Sequence, residues 1–246
     1  MSNKLSELNP AIRRKILVYG DSGTGKTVFA LGFKPPLYCF DFDGKISSGA
    51  AFYTGDKERL ANIDYDVFTS GTHDQPAQRF EAKLREFEKQ AQEGAFPYKA
   101  VILDSFTTFN DVMMKDILLT NPAVQRTRSP TAVIPAMLDY RIQNIHVKNI
   151  LNRLLALPAN IIVLAHIKTE KDELTGRILN MPNAPGGLSV YLPVVFEEVY
   201  HTYVEAKGTE RVYLAQTQAD AQFIARSQIK GIAPVIKLNY ESLNAK

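Results

Sequence analysis

Short apolar runs alternate with longer amphipathic stretches through most of the chain. Residues 15–19 (KILVY) are apolar and β-branched or aromatic and stop at Gly20, which predicts a buried strand. Residues 26–32 then read as a helix, closed by Gly32 and the Pro35-Pro36 pair. A second strand is expected over 37–43, closing at Gly44, and a third over 65–70. Residues 75–93 place apolar side chains at helical spacing among Glu, Lys, Gln and Ala, the pattern of an amphipathic helix. Residues 100–104 (AVILD) form a fourth strand, followed by a helix over 108–119. Residues 121–135, with three prolines, read as an exposed loop, 136–157 as a long helix ended by Pro158, and 160–165 as a fifth strand ending at His166. Beyond it come a polar stretch with a turn at Thr175-Gly176, and strands over 194–205 and 211–216 joined as a hairpin through Lys207-Gly208.

Strands alternating with helices predict an α/β fold, with a mostly parallel central sheet covered on both faces and a C-terminal β-hairpin extension. The chain divides into an N-terminal arm (1–14), one core domain (15–230) and a C-terminal tail (231–246). Ligands of such a sheet belong at the carboxyl ends of the strands.

Composition narrows the function classes only a little. The chain has 246 residues, 45% hydrophobic and 22% charged, which argues for a globular domain and against disorder. One cysteine, Cys39, excludes a disulfide framework and a Cys-rich zinc site and fits a reducing, cytoplasmic setting. No apolar run reaches the roughly 18 residues of a membrane span, and the first 15 residues lack a signal-peptide pattern. A net charge of +3 permits nucleic-acid binding without arguing for it.

The chemistry starts at Gly20-Asp21-Ser22-Gly23-Thr24-Gly25-Lys26-Thr27, which fits the phosphate-loop pattern G-x-x-x-x-G-K-[ST] between a strand and a helix. Glycines let backbone amides curl around phosphate oxygens, and the helix N-terminus adds positive potential. Lys26 is a candidate to reach the β- and γ-phosphates of a bound nucleotide, and the Thr27 hydroxyl to ligate Mg²⁺. Asp104, ending an apolar strand, is placed to hold Mg²⁺ opposite Thr27. Ser105 follows it where some ATPases keep a catalytic glutamate, so the group that activates water must come from another strand end. Asp41 and Asp43 offer this. Asp41-Phe42-Asp43-Gly44 also fits the GTPase pattern D-x-x-G, but it follows the phosphate loop too closely and no N-K-x-D accompanies it. His166, at the next strand end, is a candidate γ-phosphate sensor, and Arg226 a candidate phosphate contact in cis or across a subunit interface.

The phosphate loop, the D-F-D strand end at 41–43, the A-V-I-L-D-S strand at 100–105 and the I-I-V-L-A-H strand at 161–166 together resemble the RecA-like ATPase core. More closely, the chain resembles phage-encoded, core-only relatives of RecA that act as ATP-dependent single-strand annealing proteins, over about residues 12–230. The resemblance implies that Lys26, Asp43, Asp104 and His166 are catalytic, with Asp43 standing where RecA-like proteins carry a glutamate, one methylene longer. It also implies that the loops after the fourth and fifth strands bind single-stranded DNA through Arg126 and Arg128, then Lys168, Lys171 and Arg177. A homo-oligomeric ring or filament, a single-stranded-DNA-binding protein as partner and a host-cell cytoplasmic location are further implications. Two other readings stay open: a small-molecule phosphotransferase using the same loop, and a nucleotide-bound module that recruits partners without turnover.

Overall fold

A computed structural model describes residues 13–69, 75–121, 126, 133–171, 173 and 176–244. Strand β1 (Lys15–Gly20) leads into helix α1 (Lys26–Leu31) and β2 (Leu37–Asp41). Two short helices, α2 (Ile46–Ala50) and α3 (Lys57–Ala61), precede β3 (Ile63–Val67). Then come α4 (Pro76–Gln92), β4 (Ala100–Asp104), α5 (Phe106–Thr120), α6 (Met137–Leu155) and β5 (Asn160–Ala165). The chain continues through β6 (Ile167–Lys171), β7 (Ile178–Pro182), α7 (Leu188–Val195), β8 (Glu198–Lys207), β9 (Glu210–Gln216) and β10 (Val235–Lys237). No helix of the described residues is long and apolar enough to cross a membrane.

Eight strands form one sheet in the order β10-β9-β8-β1-β5-β4-β2-β3. From β8 to β3 every neighbouring pair is parallel, while β9 and β10 run antiparallel and complete the expected C-terminal hairpin extension. Strand β5 is inserted between β1, the phosphate-loop strand, and β4, the strand of Asp104. Parallel register does the positioning: Asp41 lies opposite Asp104, and Asp104 opposite Leu164, so the ends of β2, β4 and β5 reach one edge of the sheet.

Strand alternation splits the core in two. Leu17, Tyr19, Phe40, Leu103 and Val163 face α4, α5 and α6, whereas Ile16, Val18, Cys39, Ile102 and Leu164 face α1 and the C-terminal segment. The first core holds a knot of aromatic rings: Phe42 packs against Phe68, Phe80 and Phe109 with centroids 5.2 to 5.4 Å apart. Each such buried ring contributes about 2–3 kcal/mol through lost apolar exposure. Phe42 sits between Asp41 and Asp43, so this packing also pins both carboxylates.

Several expected boundaries move. Strand β2 ends at Asp41 rather than residue 43, because the amides of Phe42 and Asp43 turn back to the Asp104 carbonyl (2.6 and 3.2 Å). Strand β3 starts two residues before the expected 65: it is an edge strand whose register follows β2 from Leu37↔Ile63, and its outward residues are too polar to show that start. The polar stretch after His166 is an antiparallel hairpin, β6 with β7, its expected turn marked by Gly176 at φ +69°. Residues 188–195, partly expected as strand, form α7, with Pro193 inside it, and β8 begins only at Glu198. The tail supplies β10. Most of the N-terminal arm, Arg128, Ser70 and Thr175 lie outside the described residues.

Gly20 ends β1 directly against β8. A Cβ at this position would stand 2.4 Å from the Thr202 carbonyl oxygen and 2.5 Å from its Oγ1. Gly20→Ala is therefore expected to cost about 2 kcal/mol or more, lowering Tm by roughly 4–8 °C. Gly55→Ala, with nothing within 4 Å of its added methyl, is expected to change stability by under about 0.5 kcal/mol. Calorimetry on both variants measures this; equal melting of Gly20→Ala and the parent would contradict the β1–β8 packing.

Candidate active site

The phosphate loop closes over the end of β1 with Gly23 at φ +79° and Gly25 at φ +86°, values that exclude most other residues. Gly25 also lies under Tyr213 and Leu238, whose side-chain carbons would be 3.1 and 3.3 Å from an added Cβ. Thr24 Oγ1 donates to the Asp21 carbonyl at 2.8 Å and shares a 2.8 Å hydrogen bond with Thr202 Oγ1, which ties the loop to β8. Lys26, at the start of α1, is buried and donates from Nζ to the carbonyls of Gly20 (2.9 Å) and Asp21 (2.6 Å). Burial pushes its ammonium down to about 8, against the opposing pull of Asp104, Asp21 and Asp43.

Thr27 Oγ1 donates to Asp104 Oδ2 at 2.6 Å. Asp104 is 6% exposed, and burial raises its carboxyl to about 6 despite the Thr27 hydrogen bond, with Asp43 and Asp41 adding to the rise. Such a carboxylate gains from a cation, and a hydroxyl beside a carboxylate is a hard-oxygen donor pair suited to Mg²⁺ with phosphate and water completing the shell. The residues present thus fit the expected ion.

Two residues apart in one strand, Asp41 and Asp43 would point the same way; they do not, because the strand ends at Asp41. Asp41 turns inward: Oδ1 accepts from the amides of Gly44 (2.8 Å) and Lys45 (3.3 Å), and Oδ2 from Ile46 (3.0 Å). Asp43 turns to the cavity. Its Oδ1 accepts from Ser105 Oγ (2.9 Å) and from Thr108 Oγ1, and its Oδ2 lies 3.5 Å from His166 Nε2. Burial raises the Asp43 carboxyl, but the hydrogen bonds from His166, Thr108 and Ser105 outweigh it and hold it down at about 2. Ser105 thus supports the acidic group from the position where other ATPases keep a glutamate.

Lys26, Thr27, Asp43, Asp104 and His166 line one cavity of about 400 Å³. Its walls also include Lys45, Ser48, Phe52, Arg211 and Tyr213, which carry no motif signal; their positions follow only from the pairing of β9 and the fold-back of α2. Two expected site residues are elsewhere. Arg226 is absent from the cavity wall: its Nη2 donates to the carbonyls of Pro193, Val194 and Phe196, so it closes the C-terminal end of α7. Arg126 is not an exposed DNA contact. Its guanidinium forms a two-pronged ion pair with buried Asp139 (2.8 and 2.7 Å), fastening residue 126 to the start of α6. Lys168 pairs with Glu170 at 2.6 Å, Lys171 is exposed on β6, and Arg177 Nε donates to the Ala221 carbonyl at 3.1 Å.

A family model described as an AAA domain (AAA_24) matches residues 12–228, the span that builds this cavity and every strand of the sheet except β10. The chain belongs to this AAA domain family. No curated protein matches it. Among solved structures, a prototypical ATPase from the type III secretion system of pathogenic bacteria is similar at 13% identity and TM-score 0.48, covering 78% of this chain and 52% of that one. The chain therefore spans about half that ATPase's length. A KaiC-like protein from the hyperthermophilic archaeon Pyrococcus horikoshii OT3 is similar at 16% identity and TM-score 0.43, covering 82% and 77% of the two chains. This AAA domain combines a mostly parallel α/β sheet with a phosphate loop of the G-x-x-x-x-G-K-[ST] pattern.

The Asp104 carboxyl titrates at about 6 in the fold and near 3.9 in an unfolded chain. Between those values the unfolded chain holds fewer protons, so stability falls as pH rises from about 4 to about 6 and stays lowered above. Asp104→Asn keeps an acceptor for Thr27 and removes the buried charge. In chelator, with no nucleotide, it is expected to raise stability by on the order of 2–3 kcal/mol near pH 7.5 and by little below about pH 4. Urea titrations at the two pH values check this.

Proposed function

We propose that the chain is a Mg²⁺-dependent ATPase that binds single-stranded DNA and promotes its annealing during recombination in phage DNA metabolism. The observation that carries the hydrolytic part is the convergence of Lys26, Thr27, Asp104, Asp43 and His166 on one cavity at the phosphate loop. Phosphoryl transfer to water needs little covalent chemistry from the protein; it needs positioning and charge stabilisation. The loop amides and Lys26 hold the phosphates. Thr27 and Asp104 would hold Mg²⁺, which when bound would neutralise charge on the phosphate oxygens. Asp43, ionised at any physiological pH, orients the attacking water and takes its proton late, when the water has become acidic. His166 stands beside Asp43 and beside the γ-phosphate end, and its backbone amide accepts its own restraint by donating to Thr107 Oγ1 at 3.1 Å.

Support for DNA coupling comes from connectivity and from the resemblance to annealing proteins. His166 is followed without a linker by β6, so a shift at the phosphate end is one residue from the hairpin that carries Lys168 and Lys171. Lys171 is the exposed cation of the two, and a cation so placed suits backbone contacts, which are sequence-independent and salt-sensitive. Arg126 drops out of this surface, and Arg128 stays in the proposal on the resemblance alone. An oligomer, in which several hairpins line one strand, fits the same reading.

Hydrolysis measured with and without single-stranded DNA tests both parts. Lys26→Ala is expected to abolish turnover, and Asp43→Asn to lower kcat by about 10²-fold or more while ATP still binds. Single strands are expected to stimulate the parent more than duplex does, and Lys171→Glu to weaken strand binding several-fold with a shallower salt dependence. Normal turnover by Lys26→Ala would remove the site assignment. Turnover indifferent to DNA but dependent on a small acceptor would favour a phosphotransferase, and tight ATP binding without turnover a recruitment module.

A further inference from the structure

Lys45 has no place in the phosphate-loop motif, yet it lines the same cavity as Lys26, Asp43 and Asp104. It is exposed, and its ammonium is engaged in no ion pair or hydrogen bond among the described residues. A lysine in that condition is ordinarily a solvated surface group. Two features of the backbone beneath it set this one apart.

The first is Asp41. It is 1% exposed and, among the described residues, no cationic side chain lies at hydrogen-bonding distance; the amides of residues 44, 45 and 46 satisfy it instead. A buried carboxylate left unmatched is strongly destabilising, so the turn over 42–46 is compelled to present those three amides. Gly44 takes φ +67° to make the turn possible. One rigid turn therefore carries both Asp43, which faces His166, and Lys45, which lines the cavity.

The second is Gly49. Helix α2 lies so close to the phosphate loop that a Cβ at this position would stand 2.6 Å from Thr27 Cγ2. The missing side chain lets α2 rest on the residue that serves the metal. Helix α2 is thus held at its start by Asp41 and near its end by Thr27, which fixes the backbone at Lys45 relative to the phosphate loop.

We infer that Lys45 is a second phosphate-binding cation, which contacts the terminal phosphate of a nucleoside triphosphate alongside Lys26. This rests on the nucleotide-binding reading of the cavity. The γ end is favoured because Lys45 shares its turn with Asp43, the group assigned to the attacking water. It also balances charge there: Asp43 and Asp104 both present negative charge to that end of the cavity, and a terminal phosphate brings more than one lysine neutralises. The inner phosphates lie with the loop amides, so a diphosphate should scarcely feel Lys45.

Calorimetric titration of the full chain with Mg²⁺ and either β,γ-imido-ATP or ADP separates the possibilities. Lys45→Ala is expected to weaken the triphosphate analogue by about tenfold and ADP by less than about threefold, whereas Lys45→Arg keeps most of the affinity. Lys26→Ala is expected to weaken both. Unchanged binding in Lys45→Ala, or an equal loss for both nucleotides, overturns the inference while leaving the nucleotide-binding reading intact. A parent protein that binds neither nucleotide overturns both.

Discussion

Three carboxylates, Asp41, Asp43 and Asp104, gather at one end of a parallel sheet, and much of the molecule's organisation follows from keeping those like charges compatible. Parallel register makes the crowding unavoidable, since Asp41 and Asp104 are direct partners across β2 and β4. Each receives a different set of donors. Backbone amides satisfy Asp41, hydroxyls and an imidazole satisfy Asp43, and Thr27 with nearby Lys26 serves Asp104. The outcome is a split in acidity between two of them, with Asp43 fully ionised and Asp104 raised to about 6. Pairs of acids driven apart in this way divide their roles, one suited to hold water and the other to hold a cation.

That arrangement rests on a stiff base. The aromatic packing around Phe42 fixes the backbone between two of the three acids, and Ser105 both begins α5 and donates to Asp43. The peptide joining Asp104 to Ser105 is cis. Residues that neither bind nor react therefore decide whether the reacting groups meet.

Sequence patterning showed much of this, for identifiable reasons. Strands β4 and β5 are short and apolar except for Asp104 and Asn160 at their ends, so their expected limits, 100–104 and 160–165, coincide with those observed. The phosphate loop announces itself because the chemistry demands specific residues at fixed spacing. Direction was less legible. Asp41 and Asp43 look equivalent in the sequence until the strand is seen to stop between them, and a strand's end depends on where its neighbour's carbonyls lie. Arg126 and Arg226 look like free cations because the groups that occupy them, Asp139 and the carbonyls ending α7, are 13 and about 30 residues away. Lys45, Arg211 and Tyr213 join the cavity through tertiary folding alone, which no local pattern records.

Leu238 and Tyr213 lie over Gly25, and they place the last part of the chain in contact with nearly the first. During synthesis the phosphate loop leaves the ribosome more than 200 residues before Leu238 does, as its position in the sequence requires. Strand β8, which flanks β1, also arrives late. At a synthesis rate of roughly 5–20 residues per second, the loop waits on the order of 10–40 seconds without its cover. A nascent chain therefore presents the whole phosphate-loop motif well before it has a finished nucleotide pocket, and the order of synthesis itself delays binding until the domain is assembled.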